Sequence, residues 1–325
     1  MEFLLEGLIR ENKSLFKGSN NPESINPIKA KTGVIITHYD LDGISSSCLF
    51  KMAGYNIQKT IFLRSKEWYR ILDKVNSPII IILDLYCDEN ALSKLEQIRK
   101  EMSITYVDHH PVTGRYKNEL KKLCFKFAYD TTSCTSILTY NLLKRKFKDD
   151  KQALRVASYG GITDGVISGL PYSHTEGLMS LQRSVFLCSA HPFLTHVEQK
   201  LLDGSFSDDP SIKEKSRIME ELISHFHGIL MRSIKYEDES CMILETDKQI
   251  IGSTILLSEI SRETRKNVYL FSVENESAEL TARPNITIYT HLGKRCFDRN
   301  DIERVIGLIR DYHGNKINEY VERPV

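Results

Sequence analysis

The sequence has no C-x-x-C pair among its 7 cysteines (48, 87, 124, 134, 188, 241 and 296), so neither a zinc knuckle nor a paired-thiol redox centre is written into it. That scatter and the odd count point to reduced thiols in a cytosolic compartment and away from a disulfide frame. No apolar run approaches the ~18 residues that would span a membrane. The opening stretch, MEFLLEGLIRENKSLF, carries Glu2 and Glu6 among its apolar residues and reads as an amphipathic helix, not a signal peptide. A strong charge of either sign is missing too. The formal net charge is +1, which gives no general electrostatic sleeve for long duplex nucleic acid, although a local basic groove is compatible with it. Internal repeats and low-complexity tracts are absent. The expectation is a soluble, cytoplasmic protein with no membrane partner.

What is present is ordinary globular material: 325 residues, 41% hydrophobic and 27% charged, enough for a substantial core and roughly two domains. The first half alternates short apolar strands with helical patterns, the mark of a parallel α/β sheet. Strands are expected at 33–37 (GVIIT), 59–63 (KTIFL), 78–85 (PIIIILDL), 104–108 (ITYVD) and 125–129 (FKFAY). The stretches ISSSCLFKMAG, EWYRILDKV and ENALSKLEQIRKEM between them have helical spacing, and further helices are expected at 133–146 and 151–159. The run 157–169, ASYGGITDGVISG, is glycine-punctuated and carries Asp164. A loop at 203–213 closes with a helix start at Pro210, and from Tyr236 the pattern becomes β-rich (SCMILETD, QIIGSTIL, NVYLFSVE, AELTARPNITIYTHL). The expected organisation is a larger α/β domain over 1–205, a linker and bridging helix over 206–235, and a smaller α/β domain over 236–325, with a cleft between the domains.

Acidic and imidazole groups gather at strand ends in the first domain. His38, Asp40 and Asp42 follow the first strand at alternating positions, which on an extended chain would place them on one face. Asp84 ends IIIILD, Asp108, His109 and His110 end ITYVDHH, and Asp164 sits in GGITDG. A lone D-x-D is usually a solvated turn or a cap, and a lone D-H-H says little more. Their conjunction after successive apolar runs is different, because the carboxyl ends of parallel strands form one edge where ligands bind. Oxygen and nitrogen ligands without thiolate suit manganese, with iron, cobalt, zinc or magnesium less favoured. Their number is sufficient for a two-metal site.

HYDLDGISS, ILDL, VDHH and GGITDG resemble the four signature motifs of the DHH phosphoesterase family. The first is closest in form to the RecJ-type exonucleases, particularly archaeal ones, and TTSCTSIL (131–138) resembles the helix that follows the D-H-H motif. The resemblance implies that His38 and Asp40 hold one metal, that Asp42, His109 and Asp164 hold the other, and that Asp84 bridges. It implies further that Asp108 orients a neighbouring histidine and that His110 contacts the scissile phosphate. The family's second domain binds substrate through an arginine-bearing strand and a G-G-G-H segment. Here LTARPN offers Arg283, DYHGNKI retains only His313 and Gly314 of the glycine-rich segment, and GKRCF offers Arg295.

The activity so implied is a manganese-dependent phosphodiesterase, an exonuclease on short single-stranded RNA or DNA. A chain of this length resembles the nano-RNase branch more than the long processive RecJ type. The rivals are a phosphodiesterase or phosphatase for cyclic dinucleotides or 3′-phosphoadenosine-phosphate, a pyrophosphatase, and a non-catalytic scaffold of a replication or repair complex. Docking on such a complex and formation of a homodimer are further partner expectations.

Overall fold

The run Ile79–Leu83, IIIIL, is apolar at every position and buried at every position, as a central strand covered on both faces should be. The computed structural model describes residues 32–64, 66–167, 172–237, 241–246, 256–257, 260, 264, 266–272 and 285–289. The amphipathic helix expected at the start of the chain lies outside them. The chain divides into two compact units, Met1–Glu221 and Leu222–Val325.

In the first unit, β1 (Gly33–His38), β2 (Ile57–Leu63), β3 (Ile79–Leu83), β4 (Ser103–Asp108) and β5 (Lys126–Tyr129) form one parallel sheet in the order β2-β1-β3-β4-β5. Helices α1 (Leu41–Met52), α2 (Glu89–Ile98), α3 (Lys117–Leu123), α4 (Thr135–Leu143), α5 (Asp150–Thr163), α6 (Tyr172–Leu187) and α7 (His191–Asp203) accompany it. Strand parity divides the core. Ile35, Ile81, Leu83 and Val107 pack with Phe50 of α1 and Leu143 of α4, whereas Val34, Ile36, Ile80, Ile82 and Tyr106 pack with Leu95 of α2 and Leu120 of α3. A further cluster, including Ile44, Ile137, Val156, Leu181 and Val197, joins α1 and α4 to α5, α6 and α7. The EWYRILDKV stretch folds as a 3-10 turn over Trp68–Lys74, not as an α-helix, and buries Trp68 and Leu72.

The strand order reverses direction between β1 and β3, because β1 is followed by β2 on one side and by β3 on the other. In an open parallel sheet, that switch point is where ligands bind, outside the carboxyl ends of the strands. Register brings those ends level: Thr37 pairs with Leu83, and Leu83 with Val107. The next residues along the three strands are His38, Asp84 and Asp108.

Helix α8 (Pro210–Leu230) starts at Pro210, with Asp209 accepting from the N–H groups of Ser211 and Ile212, each at 3.0 Å. The second unit contains a four-stranded mixed sheet of β6 (Ile234–Glu237), β7 (Cys241–Thr246), β8 (Asn267–Ser272) and β9 (Asn285–Tyr289). Only the β7–β8 pair is parallel, and parallel neighbours need a crossover, usually helical. Accordingly Leu256, the last residue of the expected strand QIIGSTIL, is helical, while the rest of that stretch lies outside the described residues. Among the described residues no helix is long and apolar enough to cross a membrane.

Candidate metal centre

The first motif does not continue as an extended chain. Strand β1 ends at His38, and Asp40 (φ −79°, ψ −179°) caps α1 by accepting from the Gly43 N–H at 3.0 Å. Helix α1 therefore starts at Leu41, three residues ahead of the ISSSCLFKMAG stretch with helical spacing. The Gly43 N–H serves Asp40, so it is not free for an anion. Asp42 projects from the first helical turn, which corrects the expected alternation: His38, Asp40 and Asp42 do not share one strand face. The chain doubles back so tightly that a Cβ on Gly43 would lie 2.3 Å from the His38 carbonyl oxygen.

Asp164 is also placed differently from the motif's appearance. Helix α5 continues through both glycines of GGITDG to Thr163, and Asp164 is its C-cap, not a strand or loop terminus. A carboxylate there gains nothing from the helix dipole, which favours cations at that end. Asp84 is the first residue after β3 and sits at φ 57°, a left-handed conformation uncommon for a residue with a Cβ. Its N–H still donates to the Val107 carbonyl at 3.0 Å, so the strained residue is held at the end of the ladder. Such strain clusters at functional sites.

These elements bring all six expected ligands together. His38 Nδ1 lies 2.7 Å from Asp40 Oδ2 and 3.6 Å from Asp84 Oδ2. His109 Nε2 lies 3.3 Å from Asp84 Oδ1, and its Nδ1 lies 3.6 Å from Asp164 Oδ2. Three sets offer ligand atoms within 4.8 Å of one another: His38–Asp40–Asp84, Asp42–His109–Asp164, and Asp84–His109–His110. Asp84 belongs to two of them, with one oxygen facing each side.

Electrostatics shows what the cluster lacks by itself. Asp42 and Asp84 are each only 2% exposed. Burial, followed by the facing carboxylates of Asp84 and Asp164, pushes Asp42 up to about 7. Burial also opposes charge on Asp84, yet the His109 and His38 rings outweigh it and hold this carboxyl well below the ordinary range. Both rings resist charging through burial but are raised by their carboxylates, His38 to about 11 beside Asp40 and Asp84, His109 to about 10 beside Asp84 and Asp164. A set of convergent carboxylates and imidazoles that must borrow protons to balance its charge fits divalent metal ions. The donors are oxygen and nitrogen only, a set in which manganese, magnesium or cobalt is at home.

The pair Asp108–His110 is a separate device. Asp108 is fully buried, and its Oδ1 accepts from His110 Nδ1 at 2.7 Å, so it orients His110 and not His109. Thr113 donates to the other Asp108 oxygen and accepts from the Cys87 N–H at 2.8 Å. Burial lowers the tendency of His110 to charge, but the bond to Asp108 more than offsets it and its pKa is raised.

Thr113, Thr135 and Ser136 were not singled out from the sequence. The N–H groups of Thr135 and Ser136 donate to Asp42 at 2.7 and 2.9 Å, and the Thr135 hydroxyl donates to Asp84 Oδ1 at 3.1 Å. The resemblance of TTSCTSIL to the family's post-motif helix was the available signal for the last two; Thr113 had none. Gly160 is essential to the same contact: a Cβ there would lie 2.6 Å from Asp42 Oδ1. Trp68 is buried, and its indole N–H donates to the Tyr86 carbonyl at 2.8 Å. Arg283, Arg295, His313 and Gly314 lie outside the described residues.

Residues 33–162 match the family model described as DHH family, N-terminal domain. No curated protein sequence matches the chain. Solved structures similar to it include an exonuclease RecJ bound to manganese, 15% identical, covering 82% of this chain and 77% of that one with a TM-score of 0.47. RecJ from Thermus thermophilus in complex with Mn2+ is 13% identical, covering 82% of this chain and 46% of that one with a TM-score of 0.46. The pGpG-specific phosphodiesterase PggH from Vibrio cholerae is 12% identical, covering 76% of this chain and 79% of that one with a TM-score of 0.48.

Proposed function

We propose, from the premise that residues 33–162 are a DHH-family N-terminal domain, that this chain is a manganese-dependent phosphodiesterase that trims short single-stranded RNA or DNA from an end. The observation that carries the reading is the convergence of four carboxylates and two imidazoles at the sheet's switch point, with Asp84 common to two ligand sets. His38 and Asp40 would hold one ion, Asp42, His109 and Asp164 the other, and Asp84 would serve both. When bound, such ions supply Lewis-acid polarisation of a phosphoryl oxygen and a water of lowered pKa.

The chain's own groups account for the rest. Asp108 keeps the His110 Nδ1–H engaged, which leaves Nε2 as the ring nitrogen for substrate. The raised pKa of His110 keeps Nε2 protonated further toward neutral pH, as suits a donor to a phosphate or to the departing oxygen. Thr113 holds Asp108 from behind, so the imidazole is set before substrate arrives. Residues 236–325 are assigned to substrate binding, on the family resemblance and the arginine Arg283.

The test is a length series of end-labelled RNA and DNA strands, from dinucleotide to about twenty nucleotides, with manganese and with Asp84→Ala as the blank. Mononucleotide release, fastest from the shortest strands and absent in the variant, is the expected result. Turnover of a cyclic dinucleotide or 3′-phosphoadenosine-phosphate with no strand trimming would replace the substrate assignment. Undiminished activity of Asp84→Ala would overturn the site.

A further inference from the structure

Helix α4 begins without a side-chain cap of its own: Cys134 occupies the cap position and makes no capping hydrogen bond. The missing acceptor is supplied from 93 residues away. Asp42 takes the N–H of Thr135 on Oδ2 and the N–H of Ser136 on Oδ1, so the first amides of α4 close on a carboxylate of the metal centre. The end of the helix that favours negative charge thus steadies Asp42.

Thr135 does a second thing at the same point. It is fully buried, and its hydroxyl donates to Asp84 Oδ1. One residue therefore grips a carboxylate from each ligand set through two different groups, backbone to Asp42 and side chain to Asp84. The hydroxyl bond fixes the Asp84 carboxylate about its last torsion, a broad and soft one. In that setting Oδ1 faces His109 Nε2 and Oδ2 faces His38 Nδ1. A carboxylate offers about four lone-pair sites. The bonds from Thr135 and Ser136 use one on each Asp42 oxygen and one on Asp84 Oδ1, leaving others for ligation.

We infer that Thr135 is a positioning residue that locks Asp84 between the two ion sites and couples their occupancy. The inference rests on the proposed metal-centred function. Groups that orient metal ligands in this way change metal affinity about 10–100-fold when removed.

The chemistry allows a clean test, because side-chain substitution leaves both backbone bonds to Asp42 in place. Thr135→Val keeps the shape and deletes only the hydroxyl; Thr135→Ser restores it without the methyl. Calorimetric titration of the metal-free chain with manganese should show the Val variant binding about 10–100-fold more weakly. The Ser variant should return to within about threefold of the parent chain, on the same scale. Melting in a chelator, which reports packing without metal, should not follow this pattern, and Thr135→Ala replaces Val if the latter fails to fold. Equal manganese affinity of parent and hydroxyl-less variants, with only the melting temperature lowered, would overturn the inference and leave the metal centre standing. No manganese binding by the parent chain would overturn the centre itself and the inference with it.

Discussion

Substituting Gly160 by alanine should damage the site without unfolding the protein. Gly160 lies inside α5, where alanine by itself favours the helix by about 1 kcal/mol. Against that gain, the new Cβ would lie 2.3 Å from Ser136 Oγ and 2.6 Å from Asp42 Oδ1. Those atoms cannot swing aside freely, since Ser136 Oγ is bonded to the Ala157 carbonyl and Asp42 to two amides of α4. Overpacking of this kind costs roughly 1–3 kcal/mol. The net loss of stability is then about 0–2 kcal/mol, which a domain of this size survives. Relief requires a shift approaching 1 Å between ordinary contact and the distances above, and it falls on Asp42. Misplacement on that scale costs on the order of a hundredfold in activity. The neighbour provides the control. A Cβ on Gly161 would meet Ile137 Cδ1 at 2.9 Å and Ile167 Cδ1 at 3.0 Å, the ends of side chains that can turn. Manganese titration and thermal melting of both variants should show Gly160→Ala melting near the parent chain but binding manganese poorly, with Gly161→Ala normal in both. Normal manganese binding by Gly160→Ala, or equal impairment of the two, would refute the reasoning.

Thr113→Val should lower kcat by roughly tenfold or more, a part of what general acid catalysis supplies, with little change in KM; steady-state kinetics showing a pure KM effect would contradict the role of the Asp108–His110 pair. In the metal-free chain at neutral pH, the rings of His38 and His109 are charged, with pKa values of about 11 and about 10. Ligation needs neutral imidazole, so manganese should displace about two protons near pH 7.5 and bind more tightly as pH rises. Calorimetry in buffers of different ionisation enthalpy counts those protons, and a count of zero would exclude the histidines as ligands. Because both values lie above that of an unfolded histidine, their contribution to metal-free stability is complete below about pH 6.5 and fades as pH passes about 10. Glu198 of α7 is 2% exposed and accepts from Ser47, Thr60 and Lys51 at 2.6, 2.8 and 2.6 Å, tying α7 to α1 and β2. Glu198→Ala should cost about 3 kcal/mol in denaturant unfolding, as loss of one partner from a buried pair does, and Glu198→Gln clearly less.

Much of this architecture was legible because the responsible forces are local. The five apolar runs announced five strands, and the helical spacing between them announced parallel pairing. Strand order was not legible, yet it decides the site: the 2-1-3-4-5 order makes β1 and β3 neighbours at the switch point. Asp42 and Asp164 were recognised as chemical groups but misplaced. A capping aspartate starts the first helix at Leu41, three residues ahead of the ISSSCLFKMAG stretch, and the first two glycines of GGITDG lie inside α5, where at Gly160 a Cβ would press on Ser136 and Asp42. Thr113 and Thr135 could not stand out, since a threonine at a turn or helix start is commonplace and its partners lie 5 and 51 residues away.

The most direct measurement is anomalous diffraction from a manganese-soaked crystal of the intact chain. Two manganese peaks about 3.5–4 Å apart, the usual spacing of two-metal sites, are the expected result. Asp84 should lie between them, with His38 and Asp40 on one ion and Asp42, His109 and Asp164 on the other. Peaks elsewhere, or full occupancy by manganese with these side chains unliganded, would contradict the metal centre.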